Sequence, residues 1–383
     1  MSVFTSPFHT LKLQRIPLRQ RETLQAWDAA DEYLLSYLNE RDLSSNSLAG
    51  GTSLLVCNDN FGALSLNLLD YEPSHYTDSR IAELAISHNA GNNDLNLEYL
   101  KQIPSTELPE GRWDLVVMKL PKNMSWFREQ LLRIKPFLHE NSQVIVAAMV
   151  KHLPHSALDA LKKIIGPATL SRAQKKARLL LATADTSIKL PESKYPKQWE
   201  ITNARREHNG IKLVNHANTF SGDSLDIGAR FFIEHLPEGK RGNIIDLGCG
   251  NGILGIATAM QNDAHITFVD ESHMAVASAR DSWAANGNNP DGATFKVNDA
   301  LRDFRESSAD CILCNPPFHQ QNTVGDQIAQ RMFRDAHKVL KPGGELRVVG
   351  NRHLGYHISL KKLFGNCELV VGNSKFVVLS SVR

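Results

Sequence analysis

Disulfide chemistry is the first thing this sequence lacks. Its five cysteines, Cys57, Cys249, Cys311, Cys314 and Cys367, are odd in number and scattered, which fits a reducing compartment and not a covalent framework. Cys311 and Cys314 form a lone CxxC with no second pair. Residues three apart on a strand point to opposite faces, so the two read as buried core thiols and no metal site is expected. Long apolar runs are missing as well. No stretch has the length of a membrane span, and Met1-Ser2-Val3-Phe4-Thr5 lacks a basic segment followed by an apolar core, so a cytoplasmic protein with no membrane partner is expected. The third absence is a charge excess. With 43 basic against 41 acidic residues the net charge is +2, too little to hold nucleic acid by bulk charge and compatible only with a local patch. Arg172, Lys175, Lys176 and Arg178 are the densest basic cluster, followed by Arg205 with Arg206 and Lys361 with Lys362; each is either a nucleic-acid contact or a solvated face.

What is present is an ordinary globular composition, 42% hydrophobic and 22% charged, over 383 residues, enough for two or three domains. Ile244-Ile245-Asp246-Leu247 is a short apolar run that enters a turn where Gly248, Gly250 and Gly252 alternate with Cys249 and Asn251, and helical spacing follows from Ile253. The pattern predicts strand, glycine loop, helix. Alternate glycines permit positive φ and let a flat ligand approach the main chain, while the helix start offers unpaired N–H groups, so an adenosine-like ligand belongs there. Gly250-x-Gly252-x-x-Gly255 also satisfies the dinucleotide fingerprint, and the loop alone leaves a nicotinamide cofactor open. Ile266 to Val269 predicts the next strand. Asp270 at its carboxyl end is placed to accept from ribose hydroxyls or to cap a helix. Asp246 reads as a residue that orients the loop or lies near a charged ligand end, not as a base.

The second stretch selects the chemistry. Asp310 to Cys314 predicts a buried strand that leaves through Asn315-Pro316-Pro317-Phe318, where two prolines remove donors and stiffen the turn. The Asn315 side-chain carbonyl and the carbonyl between Asn315 and Pro316 supply two convergent acceptors. An exocyclic amino group held through both protons presents its lone pair to an electrophile such as a sulfonium methyl, which is in-line methyl transfer to nitrogen. Phe318 is suited to stack on a target base or to pack beneath the loop.

The same series of elements occurs twice. Leu54 to Leu64 overlays the glycine loop with Gly62 on Gly252 and with Asn58 and Asn60 where Gly248 and Gly250 stand. Tyr76 to Ser79 answers Phe268 to Glu271. Trp113 to Pro121 answers Ala309 to Pro317, with Lys119 in the place of Asn315, and Leu138 to Gln143 answers Leu340 to Glu345. The chain therefore reads as two tandem α/β units, residues 1–188 and 200–383, joined by a linker over 189–199. The first copy lacks the acceptor pair and the open loop, so it is a recognition lobe or a scaffold. A hairpin around Gly372-Asn373-Ser374 is predicted to close the second sheet.

DLGCGNG followed by NPPF resembles the S-adenosylmethionine-dependent amino methyltransferases. It is most similar to the bacterial ribosomal RNA guanine-2-amino methyltransferases, which have small-subunit and large-subunit branches. Leu225 to Arg230, Asp270-Glu271-Ser272 and NPPFHQQ agree with the large-subunit branch, and the resemblance covers essentially the whole chain. It implies two Rossmann-like methyltransferase units: a degenerate N-terminal one that recognises RNA and a catalytic seven-stranded C-terminal one with a terminal hairpin. The cofactor implied is S-adenosylmethionine, and the substrate implied is the 2-amino group of a guanine in 23S ribosomal RNA. It further places Phe220 and Ser221 over the cofactor and assigns Asp299, after the predicted strand from Phe295, to the adenine 6-amino group. Remaining alternatives are a small-subunit guanine, an adenine or protein-glutamine amino group, a nicotinamide oxidoreductase and a non-catalytic RNA-binding protein.

Overall fold

The computed structural model describes residues 2–18, 22–41, 53–202, 208–219, 224–317 and 323–383. Phe220, Ser221, Phe318, Arg205 and Arg206 lie outside them. The chain forms two units, Met1–Lys194 and Tyr195–Arg383.

The first unit opens with an antiparallel pair, β1 (Ser2–Thr5) and β2 (Thr10–Leu13), followed by α1 (Ala29–Glu40). Apolar spacing from Leu24 predicts an earlier helix start. The structure starts it at Ala29 because Asp28 caps it, accepting from the Ala30 N–H while Asp31 bonds back to the Asp28 N–H, and Leu24 stays exposed. Then come β3 (Leu54–Cys57), β4 (Ser74–Thr77), α2 (Arg80–Gly91), β5 (Lys101–Pro104) and β6 (Trp113–Lys119). The unit finishes with α3 (Met124–Ile134), β7 (Leu138–Met149), α4 (His155–Ile164), β8 (Ala168–Leu170) and β9 (Ala177–Thr183). Its sheet runs β5-β4-β3-β6-β7-β9-β8.

The second unit opens with the antiparallel pair β10 (Lys197–Glu200) and β11 (Lys212–Asn215). The stretch read as linker therefore already enters a strand at Lys197, because Lys197 to Glu200 pairs with Lys212 to Asn215. There follow α5 (Ile227–Ile233), β12 (Arg241–Leu247), α6 (Ile253–Ala259), β13 (Asp263–Asp270), α7 (His273–Ala285), β14 (Ala293–Val297) and β15 (Ala309–Cys314). Last are α8 (Thr323–Val339), β16 (Leu340–Asn351), α9 (Tyr356–Phe364), β17 (Glu368–Gly372) and β18 (Phe376–Val382). The order β14-β13-β12-β15-β16-β18-β17 repeats that of the first sheet strand for strand. Both units thus have the seven-stranded α/β methyltransferase architecture, with the terminal pair antiparallel.

Two apolar layers flank the second sheet. Ile244, Cys311, Leu313, Val349 and Phe376 face one, against Phe232 and Ile256; Ile245, Leu247, Ile312, Cys314 and Val348 face the other, against Phe333 and Leu360. Cys311 and Cys314 therefore stand on opposite faces, and burial pushes the Cys311 thiol up to about 12. Because β12, β15 and β16 are parallel, their carboxyl ends open on one edge, where ligands of open α/β sheets bind.

Candidate active site at the strand ends

The loop after β12 follows from its glycines. Gly248, Gly250 and Gly252 have φ of +75°, +54° and +84°, a region that side chains rarely adopt. A Cβ on Gly250 would meet nothing within 4 Å, so that face of the loop is open. A Cβ on Gly255 would stand 2.3 Å from the Phe268 ring, so this glycine serves the seating of α6 on β13.

Four of the loop's main-chain donors are already used. Gly248 and Cys249 donate to the Val269 carbonyl, Gly252 to the Cys249 carbonyl, and Gly250 to the Asp270 carboxylate at 3.0 Å. At the helix start, Ile253 donates to the Asn251 side chain and Gly255 to Asp246 at 2.8 Å. Free N–H groups expected at the helix start are thus largely consumed within the protein. Oxygens, not donors, are left over. Asp246 is fully buried, and its second carboxylate oxygen has no partner; burial, opposed by the Gly255 N–H and reinforced by Asp270, pushes its carboxyl up to about 7. The Asn315 side-chain oxygen is buried without a partner, and so is that of Asn351 at the end of β16. The Asn315 main-chain oxygen lies 3.9 Å from where a Gly248 Cβ would stand, so the Asn-Pro-Pro turn and the glycine loop are neighbours.

This inventory bears on the ligand. A pyrophosphate brings only acceptors and needs free N–H groups. An ammonium, ribose hydroxyls and an exocyclic amine bring donors, which the bare oxygens of Asp246 and Asn315 require; the residues present fit S-adenosylmethionine and its acceptor better than a dinucleotide.

Residues 1–186 match the family model RLMG N-terminal domain, and residues 210–380 match Methyltransferase small domain. A protein of Ectopseudomonas mendocina named Ribosomal RNA large subunit methyltransferase G is 47% identical over 389 residues, covering all of both chains. One of Pseudomonas aeruginosa with the same name is 46% identical, again over the whole of both. The chain belongs to the ribosomal RNA large subunit methyltransferase G family. A solved T. thermophilus 16S rRNA N2 methyltransferase, in complex with AdoMet and guanosine, shares the fold with a TM-score of 0.78 and 20% identity, over 100% of this chain and 97% of that one.

Two family-implied carboxylates have structural partners. Asp270 accepts from the N–H groups of Gly250 and Ser272, at 3.0 and 3.1 Å. Asp299 lies past the end of β14, which stops at Val297, in a turn where Ala300 has φ +49°. Arg331 of α8 grips it, bonding its carboxylate at 2.6 Å and its main-chain oxygen at 3.0 Å. Sequence reasoning missed Arg331, since a charged residue on an amphipathic helix carries no signal. It also missed Asn351, which had one: a polar residue closing an apolar run beside the Asn-Pro-Pro strand.

In the first unit the corresponding loop is filled by its own side chains. Asn58 keeps the left-handed conformation of Gly248, with φ +61°, and donates to the Lys119 carbonyl and the Gln130 side chain. The buried Asp59 carboxylate accepts from the N–H groups of Gly62, Ala63, Leu64 and Ser65. Lys119, in Asn315's place, pairs with Asp28 at 2.7 Å and Asp31 at 2.8 Å. Burial works against its ammonium, but the two carboxylates outweigh it and hold the pKa above the ordinary lysine value.

Of the basic cluster, Arg172, Lys175 and Lys176 are exposed at the β8–β9 turn, with Lys175 paired to Glu32 at 2.7 Å; Arg178 is half-buried, its Nε without a partner. The Val150 N–H donates to the Lys176 carbonyl, which brings the exposed Lys151 and His152 beside them. Among the described residues no group could hold a metal ion, and no helix is long and apolar enough to cross a membrane.

Proposed function

We propose that this chain methylates the exocyclic 2-amino group of a guanine in 23S ribosomal RNA, in the cytoplasm, from S-adenosylmethionine. The observation that carries the reading is the set of buried oxygens without donors on adjacent strand ends, beside a glycine loop in which the N–H groups of Gly248, Cys249, Gly250 and Gly252 are taken. Family membership and the printed name of its relatives support the substrate.

When bound, S-adenosylmethionine supplies an electrophilic methyl group. Asp246 would hold the ammonium of its methionine end, Gly248, Cys249, Gly250, Asn251 and Gly252 would line it, Asp270 would accept from the ribose and Asp299 from the adenine amino group; the resemblance assigns Phe220 and Ser221, outside the described residues, to the same cofactor. The Asn315 side-chain and main-chain oxygens take both protons of the guanine amine, so that its lone pair faces the methyl group. Pro316 and Pro317 hold that turn rigid, and Phe318, outside the described residues, is the residue assigned to stack on the base. No general base is needed: as the C–N bond forms, the S–C bond would break with its electron pair going to sulfur, S-adenosylhomocysteine would leave, and the positively charged nitrogen would then lose a proton to water. Arg172, Lys175, Lys176 and Arg178 of the first unit engage RNA phosphates.

The test is transfer of tritiated methyl onto total ribosomal RNA from cells lacking the protein, followed by nucleoside identification. N2-methylguanosine in 23S RNA is expected. Label on 16S RNA, on adenine or on protein overturns the substrate.

A further inference from the structure

Asn351 is the residue on the site's edge with no structural duty for its side-chain oxygen. It ends β16 and stands at the cap position of the turn Arg352–Leu354, where an asparagine ordinarily bonds the following N–H groups. Here it makes no such bond, and its Oδ1 is buried with no partner. A buried acceptor left bare is costly in a protein that offers it nothing, so it points to a donor that arrives from outside.

Its position says which donor. β16 lies next to β15 in parallel, with Cys314 opposite Val348, and in the sheet order β12-β15-β16 it is on the side of β15 away from the glycine loop. Asn351 pairs with Phe376, whose side chain packs in the layer that also holds Cys311, Leu313 and Val349. By alternation Asn315 and Asn351 both face that layer, as does Asp246 through its bond to Gly255. Three bare oxygens thus lie on the ends of three successive strands, on one face: Asp246, Asn315, Asn351. The cofactor belongs at the first and the methylated nitrogen at the second. The ring carrying that nitrogen extends over the third, which lies one strand spacing of about 4.8 Å across and two residues, roughly 6.6 Å, further along.

We infer that Asn351 is a specificity-determining residue, whose Oδ1 accepts from the N1–H of the target guanine while Asn315 holds the 2-amino group. Guanine alone of the four bases presents N1–H beside an exocyclic amine. Adenine presents an acceptor at N1 and would set the Asn351 oxygen against a lone pair. The first copy supports the assignment. At the same place after its long strand stands Met149, in the unit where Lys119 replaces Asn315, so both base-holding asparagines are missing together.

The inference rests on the guanine reading above, and its test separates the two. Once the methylated position is mapped, three RNAs are made with guanine, 2-aminopurine or inosine there. 2-Aminopurine keeps the amine but has no N1–H; inosine keeps N1–H but has no amine. The wild-type protein should prefer guanine to 2-aminopurine in kcat/KM by about tenfold or more, the cost of leaving one acceptor unpaired. Asn351→Ala should reduce that preference to within about twofold, by slowing guanine and leaving 2-aminopurine unchanged. It should also weaken binding of the inosine RNA by about tenfold. Asn351→Asp, which keeps the acceptor, should retain the preference, and unchanged S-adenosylmethionine affinity in both variants reports an intact fold. If Asn351→Ala keeps the wild-type preference, or slows both RNAs alike, the inference is wrong while the guanine reading stands. If no guanine is methylated by the wild type, the underlying reading itself is wrong.

Discussion

Asp246→Asn should make the unloaded protein more stable at pH 8 and less able to hold its cofactor. The carboxyl is fully buried and moved from 3.8 to about 7, chiefly by burial, with one oxygen bonded to Gly255 and the other bare. A raised carboxyl means that the folded state binds the proton more tightly than the unfolded chain. No penalty exists below about pH 4, where both states are protonated; it grows as pH rises through the interval up to about 7, and is complete above that. At about 1.4 kcal/mol for each decade of proton affinity, the full penalty is about 4 kcal/mol. Asparagine keeps an acceptor for the Gly255 N–H but introduces an NH2 that needs a partner, at about 1–3 kcal/mol. The net gain at pH 8 is therefore roughly 2 kcal/mol, or about 4–8 °C for a unit of this size, and at pH 4 to 5 the substitution is neutral or destabilising. Calorimetry across that pH range reads this directly, in the transition that S-adenosylmethionine shifts. The same substitution should weaken S-adenosylmethionine by roughly thirtyfold, the loss of a charged hydrogen bond of about 2 kcal/mol. A variant that is less stable than wild type at pH 8, or a stability difference between the two that does not shift in favour of the variant as pH rises from 4 to 7, would refute the reasoning.

Asn315→Ala should lower kcat by at least about a hundredfold with cofactor affinity within about twofold, since positioning acts on the amine and not on the loop; equal loss of both would reject that role. Titration calorimetry should give one S-adenosylmethionine per chain, because Asp59 and Asn58 occupy the first loop; two sites would contradict this. Lys176→Glu should reduce the salt slope of RNA binding by about one without altering the nucleoside methylated, and an unchanged slope would remove this turn from the interface.

Much of the architecture is legible in the sequence because the pattern occurs twice. Gly62 on Gly252 and Asn58 on Gly248 are matched in the structure by φ of +86° and +84°, +61° and +75°. The hairpin through Gly372 to Ser374 is legible for a local reason, since turn residues announce themselves. Less visible is what depends on partners far along the chain. Nothing near Asp299 says that Arg331 will grip it, and nothing in GCGNG says that Asp270 will take up the Gly250 N–H, or that Asn251 and Asp246 will take up those of Ile253 and Gly255 in the helix that follows. Helix starts follow the same division: the spacing from Leu24 is helical, yet Asp28 and its bond from Ala30 decide the boundary.

The self-filled loop of the first unit has a consequence for how the two halves age and respond. A fold whose hollow has been closed by its own amide and carboxylate groups gains nothing from a visitor, so its resistance to heat and proteases is fixed at synthesis. Its twin carries bare oxygens and stays comparatively soft until loaded. Cellular levels of the methyl donor would then set the lifetime of one half of the molecule and leave the other indifferent.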